Sequence, residues 1–164
     1  MDSKSKPPAQ NQPSHSNHYR PVNPLKSPRF GDVATFNRLP YVPDISGKEV
    51  DIVILGVPFD GGTSFRPGAR FGPRAVRDAS VLNRNYNPNL GVDIYDRLNI
   101  VDGGDISVNP INILSTYSNI EAHISSIHAA GARAISVGGD HSILLPDLRS
   151  IHKKYGDITL IHFD

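Results

Sequence analysis

The sequence predicts a three-layer α/β fold, in which a parallel β-sheet lies between helices on both of its faces. The run VDIVILGV at 50–57 is continuously apolar, which is typical of a strand covered on both faces. Further along the chain, strand-like runs alternate with helical patterns at short spacing. This alternation favours parallel strands joined by crossover helices. We therefore expect the carboxyl ends of the strands to share one edge, where ligands of such folds bind.

The first half of the predicted domain contains two strands and one helix. After the apolar run, a glycine-rich loop over 58–70 leads to a helix over 73–80. Proline begins this helix, because its missing N–H costs nothing in the first helical turn. A polar, asparagine-rich connection follows over 81–98, and a short strand is expected over 99–101.

The second half adds a long helix, a strand, a second helix and a last strand. Asn109 and Pro110 are expected to cap the long helix, and Gly131 to end it. Its apolar positions recur every three or four residues, at Ile113, Leu114, Tyr117, Ile120, Ile124 and Ile127. A strand over 132–137, a helix over 146–155 and a strand over 157–163 complete the pattern.

The composition divides the chain into a tail and a domain. Residues 1–28 are rich in Pro, Ser, Asn and Lys, so we expect this tail to be disordered. Residues 29–164 are expected to form the N-terminal part of an α/β domain, truncated after Asp164, because domains seldom stop at the mouth of a central strand. The tail is basic and acid-poor like a transit peptide, but its prolines disfavour an amphipathic helix. We expect a cytoplasmic protein, with a mitochondrial or plastid location as the alternative.

Charge and residue usage exclude several classes of function. The formal net charge is +1 and no basic run is present, so we expect neither a nucleic acid nor a membrane surface as partner. The chain has 0 cysteines, which excludes disulfides, thiolate zinc sites and cysteine nucleophiles. No apolar run is long enough to span a bilayer.

The segment GGDHS at 138–142 places an acid, an imidazole and a hydroxyl directly after a predicted strand. Asp164 ends the last predicted strand in the same way. If these strands are neighbours, His141 and Asp164 together suit a hard-to-borderline metal ion such as Mn²⁺. Asp140 is then expected to hold the tautomer of the imidazole. The alternative is a tight turn in which Asp140 or Ser142 caps the next helix and His141 is incidental.

Other residues near this edge are expected either to support the metal ligands from behind or to border the site. The glycine-rich loop matches neither of the common phosphate-binding glycine patterns. Either it needs glycine only for its backbone shape, or it covers a ligand, with Arg66 and Arg70 on the substrate or on a neighbouring subunit. Gly138 and Gly139 belong to the layer that supports the ligands. His162 is expected in the core or in the same supporting layer.

These motifs resemble those of the ureohydrolases, the family of agmatinase, arginase and related guanidino-acid amidinohydrolases. The resemblance is carried by GGDHS at 138–142 and by HFD at 162–164. The segment RPGARFGPR at 66–74 is similar to the agmatinase-like branch rather than to arginase proper. FNRLP at 36–40 and VDGGD at 101–105 also fit the family.

The resemblance implies a hydrolase with two Mn²⁺ ions, or Ni²⁺, in which His141 binds one ion and Asp164 bridges both. A hydroxide between the ions would attack the guanidinium carbon of a small cationic substrate and release urea. The intact protein is expected to be a homo-oligomer. The family's remaining metal ligands follow Asp164, so the 164-residue chain alone is expected to be inactive.

Three alternatives stay open at this point. The first alternative is that the substrate is free guanidine instead of agmatine or a guanidino acid. A metal-dependent deacetylase has a similar fold, although the arginine-rich segment 66–74 argues against it. The last alternative is a non-catalytic homologue that keeps the scaffold alone.

Overall fold

The computed structural model describes residues 18–163, and Asp164 lies outside the described part. A parallel three-stranded sheet with the strand order β4-β1-β5 is its centre. The elements, in chain order, are β1 (Ile52–Val57), α1 (Gly72–Ser80), β2 (Tyr86–Asn87), β3 (Val92–Asp93), β4 (Ile100–Asp105), α2 (Ile113–Ala129), β5 (Arg133–Gly138) and α3 (Leu144–Tyr155). Short β2 and β3 form an antiparallel hairpin inside the predicted polar connection.

Alternating side chains of β1 pack against different layers on the two faces of the sheet. Val53 and Leu55 are buried in one cluster with Ile120 and Ile124 of α2. Gly56 turns to the opposite face, where a Cβ atom built on it would lie 2.9 Å from Cβ of Pro73 in α1. Helices therefore cover both faces, and the three-layer α/β prediction is confirmed.

Strand β4 extends further than the apolar residues 99–101 predict. It continues through Gly103 and Gly104 to Asp105, with a register shift against β1 after Ile54. The segment 36–42, which precedes β1 and is called the lead-in segment below, closes the outer edge of β4, since Val42 N donates to the Asp102 carbonyl at 2.8 Å. Glycines carry no apolar signal, and the pairing depends on backbone groups, so the sequence pattern underestimates this strand.

A buried ion pair joins the lead-in, α1 and β4. The Arg77 guanidinium binds both carboxylate oxygens of Asp102, with Nε at 2.9 Å and Nη2 at 3.1 Å, while its Nη1 donates to Asp105 at 2.6 Å. Phe36 N and Gly104 N also donate to Asp102, at 2.8 Å and 2.7 Å. The ring of Phe36 lies 4.1 Å from the guanidinium carbon. This cluster fixes the lead-in across the end of the sheet.

The helices agree with their predicted positions apart from their first turns. In α2, Ile113 and Leu114 are exposed, so the buried face begins at Thr116 and not at the first apolar residue. The cap of α2 is Asn112, whose side chain accepts from Ser115 N at 3.0 Å, rather than the Asn-Pro pair three residues earlier. Helix α3 begins at Leu144, two residues before the predicted start, and ends before Gly156 as expected.

The prediction of a last strand over 157–163 is wrong for the described residues. This segment pairs with no strand and is exposed along its length. An apolar strand is stabilised only when neighbours cover its edges and faces, and the described residues provide no such cover here. The outer edge of β5 is therefore open within the described part of the chain.

Residues 18–28 contact the domain, although composition places them in the tail. Tyr19 N donates to Asn99 Oδ1 at 2.7 Å, and Val22 N donates to the Arg38 carbonyl at 3.0 Å. Arg20 forms an ion pair with Asp93 at 2.8 Å. The expected disorder of residues 1–17 lies outside the described residues. No helix in the described range is long and apolar enough to cross a membrane.

Candidate functional site

The carboxyl ends of β1 and β5 meet through backbone contacts that leave no room for a side chain. Asp140 N donates to the carbonyl of Phe59 at 2.8 Å, which joins the turn after β5 to the loop after β1. A Cβ atom at Gly139 would lie 2.0 Å from that carbonyl oxygen and 2.6 Å from the carbonyl oxygen of Val57. Glycine is required at 139 because the two chain segments approach this closely.

Asp140 fixes the two loops to each other with its side chain. Its Oδ2 accepts from Gly62 N at 2.7 Å, and its Oδ1 accepts from Ser142 N at 2.9 Å and from Ser142 Oγ at 2.5 Å. Asp140 thus caps the short helical turn His141–Ile143, as the alternative interpretation of this segment predicts. These bonds from Gly62 and Ser142 to Asp140 are called the Asp140 clamp below. Both carboxylate oxygens accept bonds within it, so the role of Asp140 in holding the His141 tautomer stays a prediction.

His141 directly follows Asp140 and is exposed. It lies at the edge formed by the carboxyl ends of β1 and β5, which is called the strand-end edge below. The His162 ring is next to it, with the two ring centroids 4.7 Å apart and the planes tilted by 31°. His162 is exposed rather than in the core, because the segment that carries it is not part of the sheet. The strand pattern of residues 157–163 predicts His162 in the core or behind the ligands, and it does not indicate this contact between the rings.

The described residues do not by themselves make a complete metal site. Between residues 18 and 163, no group of three or more His, Asp or Glu side chains could hold a metal ion. His141 contributes one imidazole to the edge, and Asp164, the other predicted ligand, is not among the described residues. A resident metal would need further donors.

The loop after β1 is held by a buried acid, Asp60, which no sequence motif indicates. Asp60 accepts from Gly68 N at 2.7 Å and from Arg70 Nε at 2.6 Å. The hydrogen bond from Arg70 lowers the pKa of this carboxyl to about 2. Arg70 is therefore engaged within the loop, whereas Arg66 is exposed and stacks over Phe65, 5.0 Å from the ring centroid.

A second acid lies behind the edge, at the start of α3. Oδ1 of Asp147 is buried and has no hydrogen-bond partner among the described residues. Burial raises the pKa of this carboxyl to about 6, and a hydrogen bond with Ser136 of β5 partly opposes the shift. No local pattern in the sequence marks this residue, because the shift arises from its burial in the folded protein.

The sequence matches known proteins over most of its length. A family model described as the arginase family matches residues 50–164. Guanidinobutyrase from Pseudomonas aeruginosa is 42% identical over 149 residues, which is 90% of this chain and 47% of that protein. The crystal structure of a hypothetical agmatinase from Burkholderia thailandensis matches with a TM-score of 0.74 and 38% identity, covering 87% of this chain and 44% of that chain.

A third match is a formiminoglutamase variant from Trypanosoma cruzi that was solved with Mn²⁺. It has a TM-score of 0.60 and 31% identity, and it covers 65% of this chain and 36% of that chain. The present chain therefore spans less than half the length of each of these three proteins.

Proposed function

Because this chain belongs to the arginase family, we propose that the whole protein hydrolyses a guanidino group and releases urea. The resemblance to the agmatinase-like branch, expected from the motifs, agrees with these matches. The observation that carries the proposal is the turn after β5, where the Asp140 clamp presents an exposed His141 at the carboxyl edge of the sheet. Ligands of parallel α/β sheets bind at this edge.

His141 and Asp164 are proposed to bind metal in the whole protein. An imidazole and a carboxylate suit Mn²⁺, with Ni²⁺ as a further candidate, and one related structure was solved with Mn²⁺. When bound, such ions lower the pKa of water enough for it to attack the resonance-stabilised guanidinium carbon. The remaining donors would come from outside the described residues.

The residues of this chain would position the edge and its rim. The bond from Gly62 N to Asp140 holds the glycine loop against the turn that carries His141. Gly138 and Gly139 support that turn, since Gly139 permits the close approach of the two segments. Arg70 keeps the loop in shape through Asp60. The glycine-rich loop, which forms the rim of this edge, is therefore held at Gly62 by Asp140 and at Arg70 by Asp60.

Arg66 favours a substrate with an anionic tail. It is exposed, four residues after the clamped Gly62, and its cationic side chain would attract a carboxylate and repel a second cation. We therefore propose a guanidino acid such as 4-guanidinobutyrate ahead of agmatine, whose tail carries an amine. Free guanidine, which has no tail, would gain nothing from Arg66.

Urea release by the full-length protein, reconstituted with Mn²⁺ or Ni²⁺, tests this proposal. The substrates are 4-guanidinobutyrate, 3-guanidinopropionate, agmatine, arginine and guanidine. Turnover of a guanidino acid supports the proposal, and kcat/KM for it should fall in Arg66→Gln while Arg149→Gln, an exposed charge on α3, leaves it unchanged. Turnover of guanidine alone favours the free-guanidine alternative. No urea and no bound metal favour a non-catalytic homologue.

The apolar surface beside β5 favours further protein packing in this region. Ile135 and Leu145 are 47% and 46% exposed, and the unpaired segment 157–163 adds more apolar side chains. The rest of the whole protein, or a second copy in a homo-oligomer, would cover them. The oligomeric state, the absence of a nucleic-acid partner and a cytoplasmic location stay predictions.

A further inference from the structure

A cavity of about 420 Å³ lies beside the C-terminal end of α1, away from the edge that carries His141. Four arginines line it together with four asparagines: Arg20, Arg29, Arg38, Arg84, Asn23, Asn37, Asn83 and Asn85. None of the described residues in this lining is acidic. The cavity therefore concentrates positive charge and hydrogen-bond donors.

The Arg38 guanidinium is buried, and its ion pair with Asp32 is long and exposed on the acid's side. Its side chain is only 8% exposed, and its Nη2 donates to the carbonyl of Ser27 at 2.9 Å. The only carboxylate recorded within reach among the described residues is Asp32, 3.8 Å away and itself 57% exposed. Nη1 has no hydrogen-bond partner in the described part of the chain. Burying a charge is costly unless it is paired, so this guanidinium favours an anion nearby.

The backbone holds Arg38 in position. Asn37 and Arg38 both have positive φ angles, 54° and 59°, which are costly for residues other than glycine. Asn37 N donates to Ser80 Oγ at 2.8 Å, and Leu39 N donates to the Phe36 carbonyl at 3.0 Å. These bonds maintain the two strained residues, so the guanidinium is positioned before any ligand arrives.

The other arginines of the cavity differ in how far their charge is compensated. Arg20 is neutralised by Asp93 and Asp96. Arg29 donates to the carbonyl of Val81 at 2.7 Å. This bond satisfies a carbonyl at the end of α1, but it does not neutralise the positive charge of Arg29. Arg84 is exposed on the same cavity. The hydrogen bond to the end of α1 explains the position of Arg29, but no such bond among the described residues explains the position of Arg84.

We propose that this cavity binds a small oxyanion, with Arg38, Arg29 and Arg84 supplying the positive charge. Phosphate and carboxylate groups share the required chemistry, since their oxygens accept from planar guanidinium groups in pairs. The site is separate from the strand-end edge and does not depend on the hydrolase proposal.

Calorimetric titration of the purified protein with inorganic phosphate and, separately, with succinate tests this site. One of the two anions should bind at one per chain, and Arg84→Gln should weaken that binding about tenfold or more, the size of one lost charge-assisted hydrogen bond. Phosphate binding identifies a phosphate ligand, and succinate binding a carboxylate ligand. Arg38→Gln should weaken it as well, with circular dichroism to check that this variant folds.

Arg149→Gln is the matched control, because it removes one exposed arginine charge on α3, outside the cavity. Its affinity for the anion should equal that of the unchanged protein. The proposal is overturned if neither anion binds, or if Arg84→Gln and Arg149→Gln weaken binding equally. Because Arg84 is exposed, its variant gives a result even if Arg38→Gln does not fold.

Discussion

Replacing Asp102 with alanine should destabilise the protein far more than replacing Asp105, although both carboxylates bind the same arginine. The side chain of Asp102 is 1% exposed and binds Arg77 through two hydrogen bonds, at 2.9 Å and 3.1 Å. It also accepts from the backbone N–H groups of Phe36 and Gly104. Asp105 is 45% exposed and accepts one hydrogen bond from Arg77, at 2.6 Å.

The burial of the two acids sets the expected magnitudes. Removing one partner of a buried ion pair costs about 3–5 kcal/mol, because it leaves an uncompensated charge. In Asp102→Ala, Arg77 keeps only Asp105 and the face of Phe36, and two backbone donors lose their acceptor. An exposed ion pair contributes about 0–1 kcal/mol. We therefore expect losses of about 4 kcal/mol for Asp102→Ala and less than about 1 kcal/mol for Asp105→Ala.

Urea denaturation followed by far-UV circular dichroism measures this difference. With a slope of about 2 kcal/mol per molar urea, the midpoint should fall by about 2 M in Asp102→Ala and by less than about 0.5 M in Asp105→Ala. Equal shifts in the two variants would show that burial does not determine the contribution of each carboxylate.

Three further predictions concern the tail, the acid behind the edge and the glycine turn. Deleting residues 1–17 should leave the thermal midpoint unchanged, whereas deleting residues 1–28 should lower it, because the hydrogen bonds of the described tail are lost. The folded pKa of Asp147, about 6, lies above its unfolded value, so its contribution to stability is full below about pH 4 and is lost as the pH rises through 6. Asp147→Asn should therefore be more stable than the unchanged protein at pH 7.5 and not at pH 4. Gly139→Ala should lower the midpoint, because the new Cβ would meet a carbonyl oxygen at 2.0 Å, whereas Gly31→Ala has its nearest contact at 3.5 Å and should not.

Each of these predictions has an outcome that contradicts it. Equal midpoints for the two deletions would mean that residues 18–28 contribute nothing to stability. A constant difference between Asp147→Asn and the unchanged protein from pH 4 to pH 7.5 would disprove the raised pKa. Equal midpoints for the two glycine variants would show that the strand-end turn can move apart at no cost.

The sequence predicts those parts of the fold whose signal is local. The apolar run of β1 and the helical spacing of Ile120 and Ile124 each reflect burial of one element, so both are found. The full length of β4 is missed because it contains two glycines and is held through backbone pairing. The apolar segment 157–163 has a strand pattern, but a strand also needs neighbours that cover it, and the described residues supply none.

The candidate site shows the same limit. The position of His141 after a strand is local information, and the structure places this residue at the expected edge. The clamp between Asp140 and Gly62 joins residues 78 positions apart, and no pattern in either segment indicates the other. The ion pair of Asp60 with Arg70 is closer in sequence, yet its burial depends on how the loop folds.

Manganese content, measured by plasma mass spectrometry on the full-length protein, tests most directly whether the strand-end edge is a metal site. His141→Ala is compared with His152→Ala, which removes an exposed imidazole from α3. If His141 binds manganese, His141→Ala lowers bound manganese and urea release together, while His152→Ala changes neither. Unchanged manganese in His141→Ala would contradict the assignment of this edge as the metal site.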